Sequence, residues 1–408
     1  MIHWLLPAVA LLLSGAGFLL SCWIVIPAPT LSLLVLGVGI PEISPWLVVW
    51  NAIALGLSLV TIHSNLLQRL ALSASLIGLI LSLLPLIQLP TTAQRMAAAM
   101  AEGLGADYMA RTSKAVQLQT RSHPFVLADV FRGIATSPVR YTPGIPFAAP
   151  DGVPLSMDIY QPLKEGYYPA LVVIHGGGWQ SGNPKHHGSF SRYMAARGYT
   201  VFAIAYRFAP RYQFPAQLDD VRAALAFIQK HAAEYEIDPN RIALLGRSAG
   251  GHLAMLTAYQ PDALPVRAVV SYYGPFNLER GYREPPNPDP LNVRAVLEAF
   301  LGGSPDDVPE QYKKASPANY VKPSLPPTLL VHGSRDHVVQ LRFARDMFKR
   351  LRAAENTSVL LEIPWAEHAF DFIFHGVSNQ LALYHTERFL DWAMHSSSPP
   401  DVDGNRPE

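Results

Sequence analysis

Apolar residues run almost unbroken through the first ninety positions, then give way to short apolar runs alternating with helically spaced ones. Trp4 to Ile26 is long enough to cross a bilayer core as a helix. Pro27, Pro29, Pro41 and Pro45 then divide the chain, and Leu31 to Ile40 is too short to span alone. It reads as a re-entrant piece or one arm of a kinked helix. Trp46 to Ile62 is a second expected span, and Leu70 to Leu89 a third, interrupted at Pro85. The pattern predicts three spans, with four as the alternative. The first lacks the basic start of a cleaved secretory signal and reads as a retained anchor. Leu19-Leu20-Ser21-Cys22 loosely resembles a lipoprotein box, but Trp-Ile-Val-Ile after the cysteine argues against lipidation.

Residues 91–140 read as a linker with helical character. Met96, Met100, Leu104 and Met109 recur among alanines, weakened by Gly103 and Gly105. From residue 141 the pattern changes. Asp151-Gly152 separates two extended runs in a hairpin-like way, with Leu155, Met157 and Ile159 alternating in the second. Continuous apolar strands follow at Ala170–Ile174, Val201–Ala205, Ile242–Leu245, Ala268–Tyr272, Thr328–Val331 and Val359–Ile363. Between them lie helical stretches such as Leu218, Val221, Leu225 and Ile228, then Arg342–Ala354 and Leu381–Met394. Unbroken apolar strands alternating with helices predict an α/β fold, a doubly wound and mostly parallel sheet covered on both faces. The expected division is a transmembrane region 1–90, the linker 91–140, an α/β domain 141–395 and a disordered tail 396–408.

Composition sharpens this picture in one place. Charged residues make up 15% of the chain, against roughly 25% in an ordinary soluble domain. The deficit lies in the first ninety residues, whose only charged side chains are Glu42 and Arg69. Arg69 stands alone between the second and third spans, whereas Arg95, Arg111, Lys114 and Arg121 follow the last. The positive-inside rule then places the α/β domain on the cytoplasmic side of the cell (inner) membrane. A net charge of +1 argues against a nucleic-acid partner, and the single Cys22 excludes internal disulfides and thiolate metal sites.

The candidate chemistry centres on Gly246-Arg247-Ser248-Ala249-Gly250. It follows a strand and opens a helix, the context in which G-x-S-x-G places a serine on a strained turn at the top of a sheet. Serine needs a base, and the base an orienting acid. Asp336 and His368 each follow a later strand, in the chain order Ser, Asp, His expected of this motif. Glu367 and Asp371 are rival acids, and His337 and His375 rival bases, but none combines strand-end position with that order. His175-Gly176-Gly177-Gly178-Trp179 follows the first parallel strand. Its bare backbone is suited to present the N–H groups of Gly177 and Gly178, with that of Ala249, to a tetrahedral oxyanion. His175 reads as a brace for this loop and Trp179 as either pocket wall or packing. Asp219 and Asp220 open a helix and read as structural. The Pro-rich stretch 275–327 is placed to overhang the site.

Residues 145–394 resemble the α/β-hydrolase superfamily, and within it the esterases with an H-G-G-G oxyanion motif. The hormone-sensitive-lipase-like, feruloyl-esterase-like and prenylcysteine-methylesterase-like branches are the nearest in kind. The resemblance rests on His175–Trp179, Ala205-Tyr-Arg-Phe-Ala-Pro210, Phe214–Val221, Ile237-Asp-Pro-Asn-Arg-Ile242 and Gly246–Gly251. Arg247 departs from it, since the lipase-like branch carries an acid there, and it is expected to set a cation beside the nucleophile. The resemblance implies a carboxylic ester hydrolase working without metal or cofactor on a small or lipid-like ester, and the apolar first ninety residues add the expectation of a membrane anchor. An amidase or acyltransferase with the same residues, and a non-catalytic membrane scaffold, are the alternatives. Oligomeric state is not written in these motifs.

Overall fold

The computed structural model describes residues 2–61, 66–112, 117 and 119–395. The tail from Ser396, Ile62 at the end of the second expected span, and Lys114 lie outside the described residues. The helices are α1 (Ile2–Cys22), α2 (Leu31–Glu42), α3 (Ser44–Val60), α4 (Leu66–Leu104), α5 (Leu127–Arg132), α6 (Gly188–Ala195) and α7 (Ala216–Lys230). They continue as α8 (Ala249–Tyr259), α9 (Leu278–Arg283), α10 (Val293–Leu301), α11 (Pro309–Ala315), α12 (Leu341–Ala353) and α13 (Val377–His395). The strands are β1 (Arg140–Ala148), β2 (Leu155–Gln161), β3 (Tyr168–Ile174), β4 (Thr200–Ile204), β5 (Ile237–Arg247), β6 (Ala268–Tyr272), β7 (Thr328–Gly333) and β8 (Ser358–Ile363).

The eight strands form one sheet in the order β1-β2-β4-β3-β5-β6-β7-β8. β1 and β2 pair antiparallel across the Asp151-Gly152 turn, β2 pairs antiparallel with β4, and all later pairs are parallel. The strands read as solid apolar runs because both faces are covered. Val172, Ile174, Leu244 and Val269 point into one core cluster, and Leu171, Val173, Leu245 and Val270 into another. The carboxyl ends of β3, β5, β7 and β8 therefore share one rim, where ligands bind in open α/β sheets.

The N-terminal region is a bundle in which α1, α3 and the first half of α4 pack on one another. Its polarity is inverted relative to a water-soluble bundle. The buried positions are small or polar: Ser14, Ser21, Asn51, Ser58, Ser75 and Ser82, with Ala10, Ala54 and Ala71. Large apolar side chains face outward, including Leu12, Leu19, Ile53, Val60 and Ile80. Ser14 and Ser58 share a hydrogen bond of 3.2 Å, and the Asn51 amide donates to Ser21 at 3.0 Å. Among the described residues, α1 and α4 are long and apolar enough to cross a membrane. α2 and α3, bent by 82° from one another, make a third span if counted as one.

Two expectations are corrected here. Pro85 does not interrupt the third apolar stretch: α4 runs through Pro85 and Pro90 as one helix of 39 residues. The helix then carries on past residue 90 and becomes part of the α/β core, with Met96, Met100 and Leu104 packed among Val359, Leu361 and Ile363. What reads as a linker is, over this stretch, a helix lying on the edge strand β8.

Candidate active site

β5 delivers Ser248 on a sharp turn at φ 53°, ψ −121°, outside the regions an L-residue favours. The backbone there is too tight for side chains on either flank. A Cβ on Gly246 would lie 2.0 Å from the Gly250 carbonyl oxygen, and one on Gly250 would lie 2.1 Å from that of Ile174. The glycines at both flanks are what let the turn exist. α8 starts immediately after Ser248, so its unbonded N-terminal amides and dipole point at the same spot.

The structure brings Ser248, His368 and Asp336 together. The Ser248 hydroxyl lies 2.9 Å from His368 Nε2, and His368 Nδ1 lies 2.8 Å from Asp336 Oδ2. Asp336 also accepts from the backbone amides of Val338 at 2.9 Å and Val339 at 2.7 Å. Burial alone would raise the Asp336 pKa, but the His368 imidazole and the bond from His332 outweigh it and hold the carboxyl well below its usual range. The arrangement leaves His368 Nε2 as acceptor toward the serine when Nδ1–H donates to Asp336. The rim is 5% exposed at Asp336 and 7% at His368, so these bonds are shielded from solvent.

Gly177 (φ 121°) and Gly178 (φ 59°) follow β3. Among the described residues, no acceptor takes the N–H groups of Gly177, Gly178 or Ala249. His175 sits behind them rather than in the chemistry. It is buried, stacks on Tyr206 at 4.3 Å between ring centroids, and its Nδ1–H donates to the Gly176 carbonyl. Burial lowers its pKa to about 4, so the ring is neutral.

The rivals find other work. Glu367 accepts from the His337 amide and ring at 2.6 Å each and from the His368 amide at 3.0 Å, tying the acid loop to the base loop. The carbonyl of His375 accepts from Gln380. Asp371 pairs with Arg247, which corrects the expectation of a cation beside the serine. The Arg247 side chain turns the other way, is 1% exposed, and lies over Phe190 with its charge met by Asp371. Asp371 accepts from Tyr273 as well, whose ring is 4.6 Å from that of His368. Sequence spacing weighed Asp371 only as a rival acid, since nothing along the chain ties it to Arg247.

An apolar pocket leads away from Ser248. Its walls include Trp179, Phe276, Leu297, Leu291, Val338 and Val339. The stretch 275–327 supplies much of it through α9 and α10. Trp179 is both wall and packing. It stacks on Phe300 at 4.2 Å, and its indole N–H donates to His252, which burial keeps neutral with a pKa of about 4. Among the described residues, no group of three or more His, Cys, Asp or Glu side chains is placed to hold a metal ion.

The strand order, the strained serine turn and the glycine loop beside it define an α/β-hydrolase-fold domain. Comparison with known proteins agrees: residues 157–351 match the BD-FAE family model. The chain is similar to the probable carboxylic ester hydrolase LipM of Mycobacterium tuberculosis, 33% identical over 222 residues, covering 51% of each chain. It is similar also to esterase LipC of the same organism, 37% identical over 221 residues, covering 50% of this chain and 54% of that one. The chain thus spans about half the length of these curated relatives. Among solved structures, esterase 2 of Thermogutta terrifontis phosphonylated by sarin superposes with a TM-score of 0.51 at 26% identity, covering 62% of this chain and 93% of that one.

Proposed function

We propose that this protein is a membrane-anchored serine hydrolase that cleaves carboxylic esters through an acyl-enzyme. The observation that carries the reading is the continuous hydrogen-bonded line Ser248–His368–Asp336 beside three unengaged amides. In this reading Ser248 Oγ attacks the ester carbonyl while His368 Nε2 takes its proton. Asp336 fixes the imidazole by its Nδ1–H and stabilises the imidazolium. The carbonyl oxygen gains negative charge and is held by the amides of Gly177, Gly178 and Ala249, each worth about 3 kcal/mol to the transition state. Collapse expels the alcohol, which receives the proton from His368. Water then attacks the acyl-enzyme by the same route, restoring Ser248. The relatives named as esterases support an ester as the substrate bond. The inverted polarity of the α1–α3–α4 bundle supports the anchor: small and polar side chains inside with large apolar ones outside suit helices packed within lipid.

The test is labelling by a fluorophosphonate probe in membranes, alongside hydrolysis of an aryl ester. The unmodified protein is expected to label, and Ser248→Ala to lose labelling and at least about 10⁴-fold in ester turnover. Labelling that persists in Ser248→Ala would sink the assignment.

A further inference from the structure

The N-terminal helices do more than precede the pocket; they are built against its wall. Leu291, Val338 and Val339 line the pocket and belong to one packed cluster with Trp23, Ala28, Leu33, Leu34 and Val38. The segment between α1 and α2 is held there by a second contact, the Arg335 guanidinium donating to the Val25 carbonyl. α2 packs its Leu34 with Val338 and Val339 and sets Gly37 near Glu367, while its Ile40 packs on Ile24 and Leu47 within the bundle. Its far face presents Leu31 (57% exposed) and Val35 (70% exposed), one turn apart. The same helix therefore touches the loop that holds Asp336 on one side and turns bare apolar side chains outward on the other.

Aromatic residues mark the level at which this happens. Trp23 follows the end of α1 and Trp46 stands at the start of α3, where those helices meet the α/β domain. Trp46 packs edge-on against Phe131 at 4.6 Å and donates its indole N–H to the Val130 carbonyl. Leu127 and Phe131 of α5 are themselves exposed. Tryptophans and exposed apolar side chains gathered at one end of an apolar bundle mark a water–lipid boundary. Trp23 belongs both to that belt and to the cluster behind Leu291, Val338 and Val339.

We propose that the pocket is filled from the bilayer: the substrate class is an ester whose long apolar chain resides in lipid and enters past α2. This rests on the serine-hydrolase reading and extends it to the origin of the substrate. Leu31 and Val35 stand on the outer face of the helix whose Leu34 packs with Trp23, Leu291 and Val339, so apolar side chains continue from that face to the pocket wall. The transfer thus avoids exposing the ester's chain to water.

The experiment uses the full chain in phosphatidylcholine vesicles with two aryl esters, one a water-soluble butyrate and one an oleate. Turnover of the oleate is expected to follow its mole fraction in the bilayer and to be indifferent to its bulk concentration. Val35→Lys and Leu31→Lys, which alter only the outward face of α2, are expected to lower oleate turnover at least tenfold and to leave butyrate turnover and fluorophosphonate labelling unchanged. Oleate turnover that tracks bulk concentration in the unmodified protein overturns the proposal, whatever the variants do. So does an unchanged oleate-to-butyrate ratio in variants that still label. A protein that neither labels nor cleaves butyrate overturns the hydrolase reading itself, and this inference with it.

Discussion

At the scale of single residues, the site depends on charges that are buried but answered. Arg247 immediately precedes Ser248, and Asp371 lies three residues beyond His368, so their ion pair joins the serine turn to the base loop. Burial would lower the Arg247 pKa, but Asp371 and the neighbouring phenols raise it above the ordinary guanidinium value. On Asp371, the guanidinium and His187 likewise outweigh burial and lower the carboxyl. Removing one partner leaves the other charge stranded, which costs about 3–5 kcal/mol. Asp371→Asn is expected to lower the thermal midpoint in detergent by several degrees and to reduce kcat more than it raises KM. The double variant Arg247→Met with Asp371→Leu should lie closer to the parent in stability than either single change. A thermal midpoint for Asp371→Asn equal to the parent's would show that the pair has no such weight. Residues of this kind are poorly legible along the chain. Ser248, Asp336 and His368 stand out because each sits at a strand end in a recognisable order, whereas Arg247 and Asp371 are linked only by the folded backbone.

At the scale of elements, the parallel strands are the most legible part, since burial on both faces leaves a solid apolar run for each. β6 coincides with the stretch Ala268–Tyr272 read from its hydropathy. α4 is the least legible. Gly103 looks like a weakness in a helix, but a Cβ there would come within 2.5 Å of Val359 and 2.8 Å of the Ser358 carbonyl. The residue is small because the helix lies directly on β8, a contact no local periodicity reveals. α13 carries a different lesson in Asp391. Burial raises its carboxyl from 3.8 to about 7, while Tyr199 donates to it at 2.8 Å. The folded value exceeds the unfolded one, so its contribution is complete below about pH 4 and is lost as pH rises through 7. A shift of this size amounts to roughly 4 kcal/mol. Asp391→Asn is expected to flatten the fall in thermal midpoint between pH 5 and pH 8. A parent and variant with parallel pH curves would remove Asp391 as the cause.

At the scale of the whole molecule, bundle and sheet are not two bodies on a tether. Glu42, at the end of α2, is fully buried and accepts the amide of Ser378 at the start of α13. Gly37 packs near Glu367, and Val338 and Val339 meet Leu34. Hydropathy alone marks the first ninety residues as apolar spans, yet says nothing of this seam, because an apolar side chain bound for lipid and one bound for protein look alike in a sequence. A chain beginning at residue 66, lacking α1 to α3, is expected to label with fluorophosphonate at least tenfold more slowly than the full protein, since the loop holding Asp336 loses its cover. Equal labelling rates would show that the loop stands without it.

The unbroken course of α4 carries one more consequence. Thirty-nine residues of helix span about 58 Å, with one end wedged among α1 and α3 and the other laid along β8. The one helix thus belongs to both the bundle and the sheet. Two spin labels, one on each part, should give a single narrow separation.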